Sequence, residues 1–302
     1  MAHDRHISIA EKYSRKPQAQ LAEQLLGGFV YSSVFISCCA FSLTIETYKL
    51  AGLPISMPMA VFVFLATLFT YNLSSVYSFV RWPHQQKYKT SRYWWQRNKK
   101  LLALTGVASI MLATGMYVYF GLNINLLVVL HLALISVWYT VPIVYKSSWV
   151  RPLRSIPLLK VFLIAYVWAV VTAWFPLLDA GIAAWDGEAM LLLLRRFLFI
   201  LSLALLFDIR DYAYDRSTNT LTIPGLIGVR NTKFISITLL AVYTLLAATS
   251  ETGEVQLALM ASAFVAALVV LFSDEHKPRI YYALLADGAM LVHAGLVYLA
   301  FS

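Results

Sequence analysis

Apolar residues along this chain neither alternate with polar ones nor recur only at helical spacing; they run on. Nine stretches, at about 27–46, 57–78, 101–120, 124–143, 158–178, 189–207, 234–250, 255–273 and 281–301, are apolar almost throughout. A helix rising about 1.5 Å per residue needs roughly 20 such residues to cross a hydrocarbon core of about 30 Å. Backbone groups in lipid must bond within their own segment, so these runs predict helices. The expected fold is an all-α membrane protein, a bundle of nine transmembrane helices. No tract of soluble-domain character and no short repeat interrupts the pattern. The expected organisation is one polytopic membrane domain over 1–302, with an N-terminal segment (1–24) and the bundle (25–302).

Composition agrees. The chain is 60% hydrophobic and 13% charged, with a mean hydropathy of +0.69, whereas a soluble domain is nearer half apolar and a quarter charged. The net charge is +9. In a soluble protein that would suggest nucleic acid. Here the basic residues sit between apolar runs, so the expected partners are anionic headgroups and phosphorylated lipid substrates, not nucleic acid. Taking alternate loops in turn places twenty Lys and Arg on one side, in the N-terminal segment and after spans 2, 4, 6 and 8. Only Lys49 stands on the other, with Asp179, Asp186, Glu188, Glu251 and Glu254. Basic loops stay cytoplasmic, so the N-terminus is expected inside and the C-terminus outside, in a bacterial inner (plasma) membrane. The first apolar run starts near Leu25 and no cleavable leader pattern precedes it. Cys38 and Cys39 read as small buried hydrophobes.

Chemistry concentrates where span 6 ends. Asp208, Asp211 and Asp215 stand at i, i+3 and i+7, one face of a helix. Clustered carboxylates repel unless a cation intervenes, and hard oxygen donors suit Mg²⁺, which commonly bridges one or two carboxylates to substrate phosphates. Arg210, Arg216, Arg230 and Lys233 nearby could meet phosphate oxygens. The same residues read equally as a solvated charged loop of Asp–Arg pairs.

This segment, followed by Thr222-Ile223-Pro224 and then Gly228 before a new apolar run, resembles the second aspartate motif of the UbiA-type intramembrane prenyltransferases. Tyr139-Thr140-Val141-Pro142, the basic stretch Arg151-Pro152-Leu153-Arg154 leading to Pro157 and Lys160, and Tyr281-Tyr282 through Asp287-Gly288 are similar to further family features. The resemblance implies a nine-helix bundle with motif loops after helices 2 and 6. It implies transfer of a prenyl group from an allylic prenyl diphosphate to a lipophilic acceptor. Asp208, Asp211 and Asp215 would act as catalytic metal-holding residues for Mg²⁺. Arg154, Lys160, Arg210 and Arg216 would neutralise diphosphate, and Asn72 is what remains of the first motif. That motif, Asn-x-x-x-Asp-x-x-x-Asp in the family, has Val76 and Val80 at its acidic positions, and no acidic residue lies between Glu46 and Asp179. The loop after span 2 is basic instead, with His84 and the aromatics Trp82, Tyr88, Trp94 and Trp95. Two readings follow: a prenyltransferase with a rebuilt diphosphate clamp, or a noncatalytic protein that binds isoprenoid or other lipid.

Four polar features lie inside apolar runs, where an ionisable group is costly and calls for a partner. One of Arg195 and Arg196 is expected to face the bundle interior, unless span 6 starts late and both sit at the interface. Asp287 is expected to pair with one of them. His131 and His293 are expected to be satisfied core histidines. Lys160 reads either as an interfacial lysine or as a diphosphate ligand.

Overall fold

The computed structural model describes residues 28–29, 32–81, 98–140, 144–145, 148–149, 159–183, 185–217 and 220–301. Among these, nine helical elements follow in order: α1 (Val34–Leu50), α2 (Met57–Arg81), α3 (Lys99–Tyr119), α4 (Leu126–Thr140), α5 (Leu159–Asp179), α6 (Gly187–Ser217), α7 (Ile223–Ser250), α8 (Gly253–Phe272) and α9 (Arg279–Ala300). A ladder of two residues per strand, β1 (Val144–Tyr145) against β2 (Ser148–Trp149), is antiparallel and lies between α4 and α5. Residues 1–27, the basic loop with His84, and Val141 and Arg154 fall outside the described residues.

Six of the helices, α3 and α5 to α9, are long and apolar enough to cross a membrane by length and composition. Their outward faces carry large apolar side chains such as Leu104, Met111 and Phe234, each about two-thirds or more exposed (67%, 69% and 71%). Water would not tolerate so continuous an apolar surface; lipid does. The chain is an integral membrane protein.

Six helices close a ring in which α1 packs on α9, α9 on α8, α8 on α7, α7 on α6, α6 on α5, and α5 back on α1. Helix α2 lies against α1, and α3 lies against α2. The ring closes tightly because its inner faces are small: Cys39, Ala40, Ala165, Ala204, Ala263, Ala266 and Ala286 are all buried. Small residues let helix backbones approach where no hydrophobic force drives association. Hydroxyls in these apolar faces are satisfied within their own helices. Thr44, Thr67, Thr70 and Thr172 each donate to the carbonyl four residues back, at 2.7–2.9 Å.

Two helices depart from α geometry, each at a π-helical turn: Val170–Trp174 in α5 and Tyr282–Ala286 in α9. A carbonyl within the first turn and one directly after the second accept from α1. Thr47 Oγ1 donates to Thr172 O at 2.8 Å, and Cys39 Sγ donates to Asp287 O at 3.4 Å. A π turn frees carbonyls from the i→i−4 ladder and recurs at functional sites. Helix α7 breaks at Gly228, whose φ of 82° and ψ of 158° suit only glycine. The five residues before the break, 223–227, form a separate N-terminal turn.

Candidate functional site at the end of helix α6

Helix α6 is unusually long, 31 residues. It does not end where its apolar run ends but carries Asp208, Asp211 and Asp215 on continuing helix. All three carboxylates therefore project from one rigid element. Thr220 N–H donates to Asp215 O at 2.8 Å and closes the helix end.

Asp208 and Asp215 are buried, and Asp211 is half-buried. Lys160, in the first turn of α5, reaches Asp208 with Nζ to Oδ1 at 2.8 Å. Arg210 donates to both oxygens of Asp211, Nε to Oδ1 at 2.9 Å and Nη2 to Oδ2 at 2.7 Å. Its guanidinium lies 5.0 Å from the centre of the Phe207 ring, which fixes its plane. Asp287, on α9, lies within electrostatic reach of Arg210. Five sequence-identified groups, Lys160, Asp208, Arg210, Asp211 and Asp215, thus form one compact cluster of alternating charge.

Other candidates lie elsewhere. Asn72 is buried and its Nδ2 donates to Thr105 Oγ1 at 3.1 Å, against α3. Gly106 lies against it: a Cβ there would sit 3.4 Å from Asn72 Cβ, in van der Waals contact. Asn72 Oδ1 has no hydrogen-bond partner among the described residues. Arg216 and Arg230 are exposed near the α6–α7 connection.

The expected pairing of Asp287 with Arg195 or Arg196 does not occur. Asp287 lies within electrostatic reach of Arg210, and fourteen residues of helix, about 21 Å, separate Arg196 from Arg210. Arg196 instead pairs with Glu46, Nη1 to Oε2 at 3.0 Å, both wholly buried, and donates to Leu43 O and Thr47 Oγ1. His293 Nε2 lies 2.9 Å from the other Glu46 oxygen, and His293 Nδ1 lies 2.7 Å from Ser262 Oγ. This network joins α1, α6, α8 and α9. Arg195, also buried, turns to Ser250 at 2.9 Å and Glu251 at 2.8 Å, at the far end of α7. His293 is the satisfied core histidine expected. His131 is not: it is exposed on α4, with its ring edge-on to Tyr166 of α5 at 6.3 Å between centres. Sequence reasoning missed the role of Glu46. The signal was there, since Glu46 is the one carboxylate in the first apolar run and two arginines interrupt the sixth.

Among the described residues, no three carboxylate, imidazole or thiol groups converge closely enough to hold a metal ion by themselves. The donor chemistry nevertheless suits Mg²⁺: hard oxygens from one or two carboxylates, with the remaining positions left to water and substrate phosphate.

No family model and no curated protein matches the sequence. The fold has clear counterparts. A UbiA homologue from Archaeoglobus fulgidus bound to GPP and Mg²⁺ superposes with a TM-score of 0.59, over 92% of this chain and 98% of its own, at 13% identity. The same homologue bound to DMAPP and Mg²⁺ gives 0.57, with the same coverage and identity. A digeranylgeranylglyceryl phosphate synthase gives 0.54, over 92% and 97%, at 12% identity. An intramembrane helical bundle with a charged cluster at the end of its sixth helix is thus the class of molecule. Its fold is the UbiA fold.

Proposed function

We propose that this protein is a UbiA-type prenyltransferase. It transfers a prenyl group from an allylic prenyl diphosphate to a lipophilic acceptor within the bilayer. The observation that carries this reading is the cluster of Lys160, Asp208, Arg210, Asp211 and Asp215 at one end of an apolar bundle. A diphosphate ester with an apolar tail matches that combination of charge and grease.

Lys160 and Arg210 would donate to diphosphate oxygens, in charge-assisted bonds. In exchange Asp208 and Asp211 would be released from their ion pairs and, with Asp215, would hold Mg²⁺ jointly with the substrate. Bound there, Mg²⁺ supplies Lewis-acid stabilisation of the leaving diphosphate. Arg154 and Arg216 would add positive charge at the mouth, and Asn72 would stand at the position of the first motif. The apolar interior excludes water from the allylic cation, and the aromatic faces of Tyr71 and Trp168 offer it stabilisation. The topology that fits is nine spans with the N-terminus and the Asp cluster cytoplasmic and the C-terminus outside. One polytopic domain over 1–302 in a bacterial inner membrane fits the same reading.

The noncatalytic lipid-binding reading draws support from one observation: Asp208 and Asp211 already have cationic partners, and no set of three ligands converges. The two readings part on one comparison. Prenyl diphosphate binding is measured for the wild type and for Asp208→Asn and Asp211→Asn, with and without Mg²⁺. In the transferase, Mg²⁺ tightens wild-type binding and both substitutions abolish that gain. Binding indifferent to Mg²⁺ in all three proteins would assign the lipid-binding role instead.

A further inference from the structure

Arg230 and Lys233 follow the aspartate segment in sequence, yet the diphosphate reading makes no use of them. Helix α7 gives them another setting. After its break at Gly228 it runs on over 229–250, about 33 Å, close to the depth of a hydrocarbon core. Arg230 therefore stands at headgroup level and Lys233 one turn deeper. Lys233 reaches sideways, as a lysine near a membrane boundary does. Its Nζ donates to Leu271 O at 3.1 Å, in the last turn of α8, where a cation is favourable against the helix dipole. Arg230 is exposed and makes no hydrogen bond or ion pair among the described residues. By contrast Arg195, Arg196 and Arg210 each lie on a carboxylate.

Two apolar strips lead away from these cations. On α7, Phe234, Val242 and Leu245 are exposed at helical spacing, and on α8 so are Leu271, Leu268 and Phe264. The two helices pack on one another, and the Lys233–Leu271 bond ties the same end of both strips together. The acids that follow α8 are already engaged by His276. Asp274 Oδ1 accepts from His276 N–H at 3.0 Å, and Glu275 Oε1 lies 3.6 Å from its Nε2. Positive charge thus stands over paired apolar strips with no carboxylate set against Arg230.

We propose that this end of the α7–α8 pair is a binding site for one anionic phospholipid, with its phosphate on Arg230 and its two acyl chains along the two strips. Arg230 presents a planar fork that matches phosphate oxygens, and Lys233 adds a second charge. The lipid is anionic because two cations and no free carboxylate face it; the ammonium of a zwitterionic headgroup would find no partner there. None of these residues belongs to the α6 cluster, so the site stands whether or not that cluster binds prenyl diphosphate.

The test is titration of the full chain in detergent with dioleoyl phosphatidylglycerol and dioleoyl phosphatidylcholine, which carry the same chains, reading the first lipid bound by native mass spectrometry. The wild type should bind the anionic lipid at least about fivefold more tightly, the worth of one cation near a membrane surface. Arg230→Gln should erase that preference and Arg230→Lys should keep most of it. Phe234→Ala should weaken both lipids alike, by about threefold or more, because it removes apolar contact and no charge. Lys100→Gln removes an exposed cation at the start of α3 and should leave the preference unchanged. Equal binding of the two lipids by the wild type would overturn the site. So would equal losses in Lys100→Gln and Arg230→Gln, which would show a diffuse field of charge. Displacement of the lipid by soluble glycerol 3-phosphate at matching concentration would show a bare phosphate site and overturn it too.

Discussion

The network around Glu46 invites a quantitative perturbation. Glu46 and Arg196 are 1% exposed at their side chains, and among the described residues each is the other's only charged partner apart from His293 on the carboxylate side. Removing one member of a buried ion pair strands the other, at about 3–5 kcal/mol. The two deletions are not equivalent. Glu46→Leu leaves Arg196 with only Leu43 O and the Thr47 hydroxyl, and takes the acceptor from His293. Arg196→Met leaves Glu46 still within hydrogen-bond distance of His293, Nε2 to Oε1 at 2.9 Å. Glu46→Leu should therefore cost the full amount and Arg196→Met about 1–2 kcal/mol less. The double variant removes both charges and should be more stable than Glu46→Leu, because replacing a buried pair by apolar residues is often near neutral. Thermal unfolding of detergent-solubilised protein, followed by size-exclusion fluorescence, reads the series. At about 2 °C per kcal/mol for a long chain, Glu46→Leu should lower Tm by about 6–10 °C. Strict additivity, with the double variant falling by the sum of the singles, would refute the pairing.

Other outcomes follow from the same geometry. Gly228→Ala must adopt φ of 82° with a Cβ and should cost about 1–3 kcal/mol, seen as a lower Tm. Lys160→Met removes the counterion of buried Asp208 and should weaken prenyl diphosphate binding about 10- to 100-fold, the worth of one charge-assisted bond; unchanged affinity would remove Lys160 from the site. In a cysteine-accessibility experiment, Asp186→Cys should react with an impermeant reagent in intact cells and Arg216→Cys only after permeabilisation. Equal reaction at both positions would defeat the proposed topology. Chelation of metal should cost prenyl diphosphate binding only about 1–3 kcal/mol, because Lys160 and Arg210 remain, while any turnover should fall much further.

Helix positions were legible because lipid allows only one solution for a long apolar run, and each expected span has its helix. The ends were less legible. Residues 208–217 look like an exit loop by polarity, yet α6 continues through them, since the Asp208–Lys160 and Asp211–Arg210 pairs let polar residues remain on ordered helix. Spacing alone brought Asp208, Asp211 and Asp215 to one face. It could not pair Lys160 with Asp208, which depends on how α5 lies against α6. Nor could it choose partners for Asp287 and Arg196, because the depth of each residue along its own helix decides that. The π turns in α5 and α9 leave no mark in the residue pattern. Asn72 shows a further limit: a motif position was identifiable, but its hydrogen bond to Thr105 depends on how a neighbouring helix lies against it.

The central claim is that the α6 cluster ionises an allylic diphosphate. Purified protein in nanodiscs, incubated with radiolabelled geranyl diphosphate and a lipid extract as acceptor source, tests it by release of inorganic diphosphate. Release is expected in Mg²⁺, should fall to background with chelator, and should be abolished in Asp211→Asn while the folded protein persists. Release that continues unchanged without metal, or in Asp211→Asn, would contradict the mechanism. Tight Mg²⁺-independent binding with no release under any condition would assign the fold to lipid binding in place of catalysis.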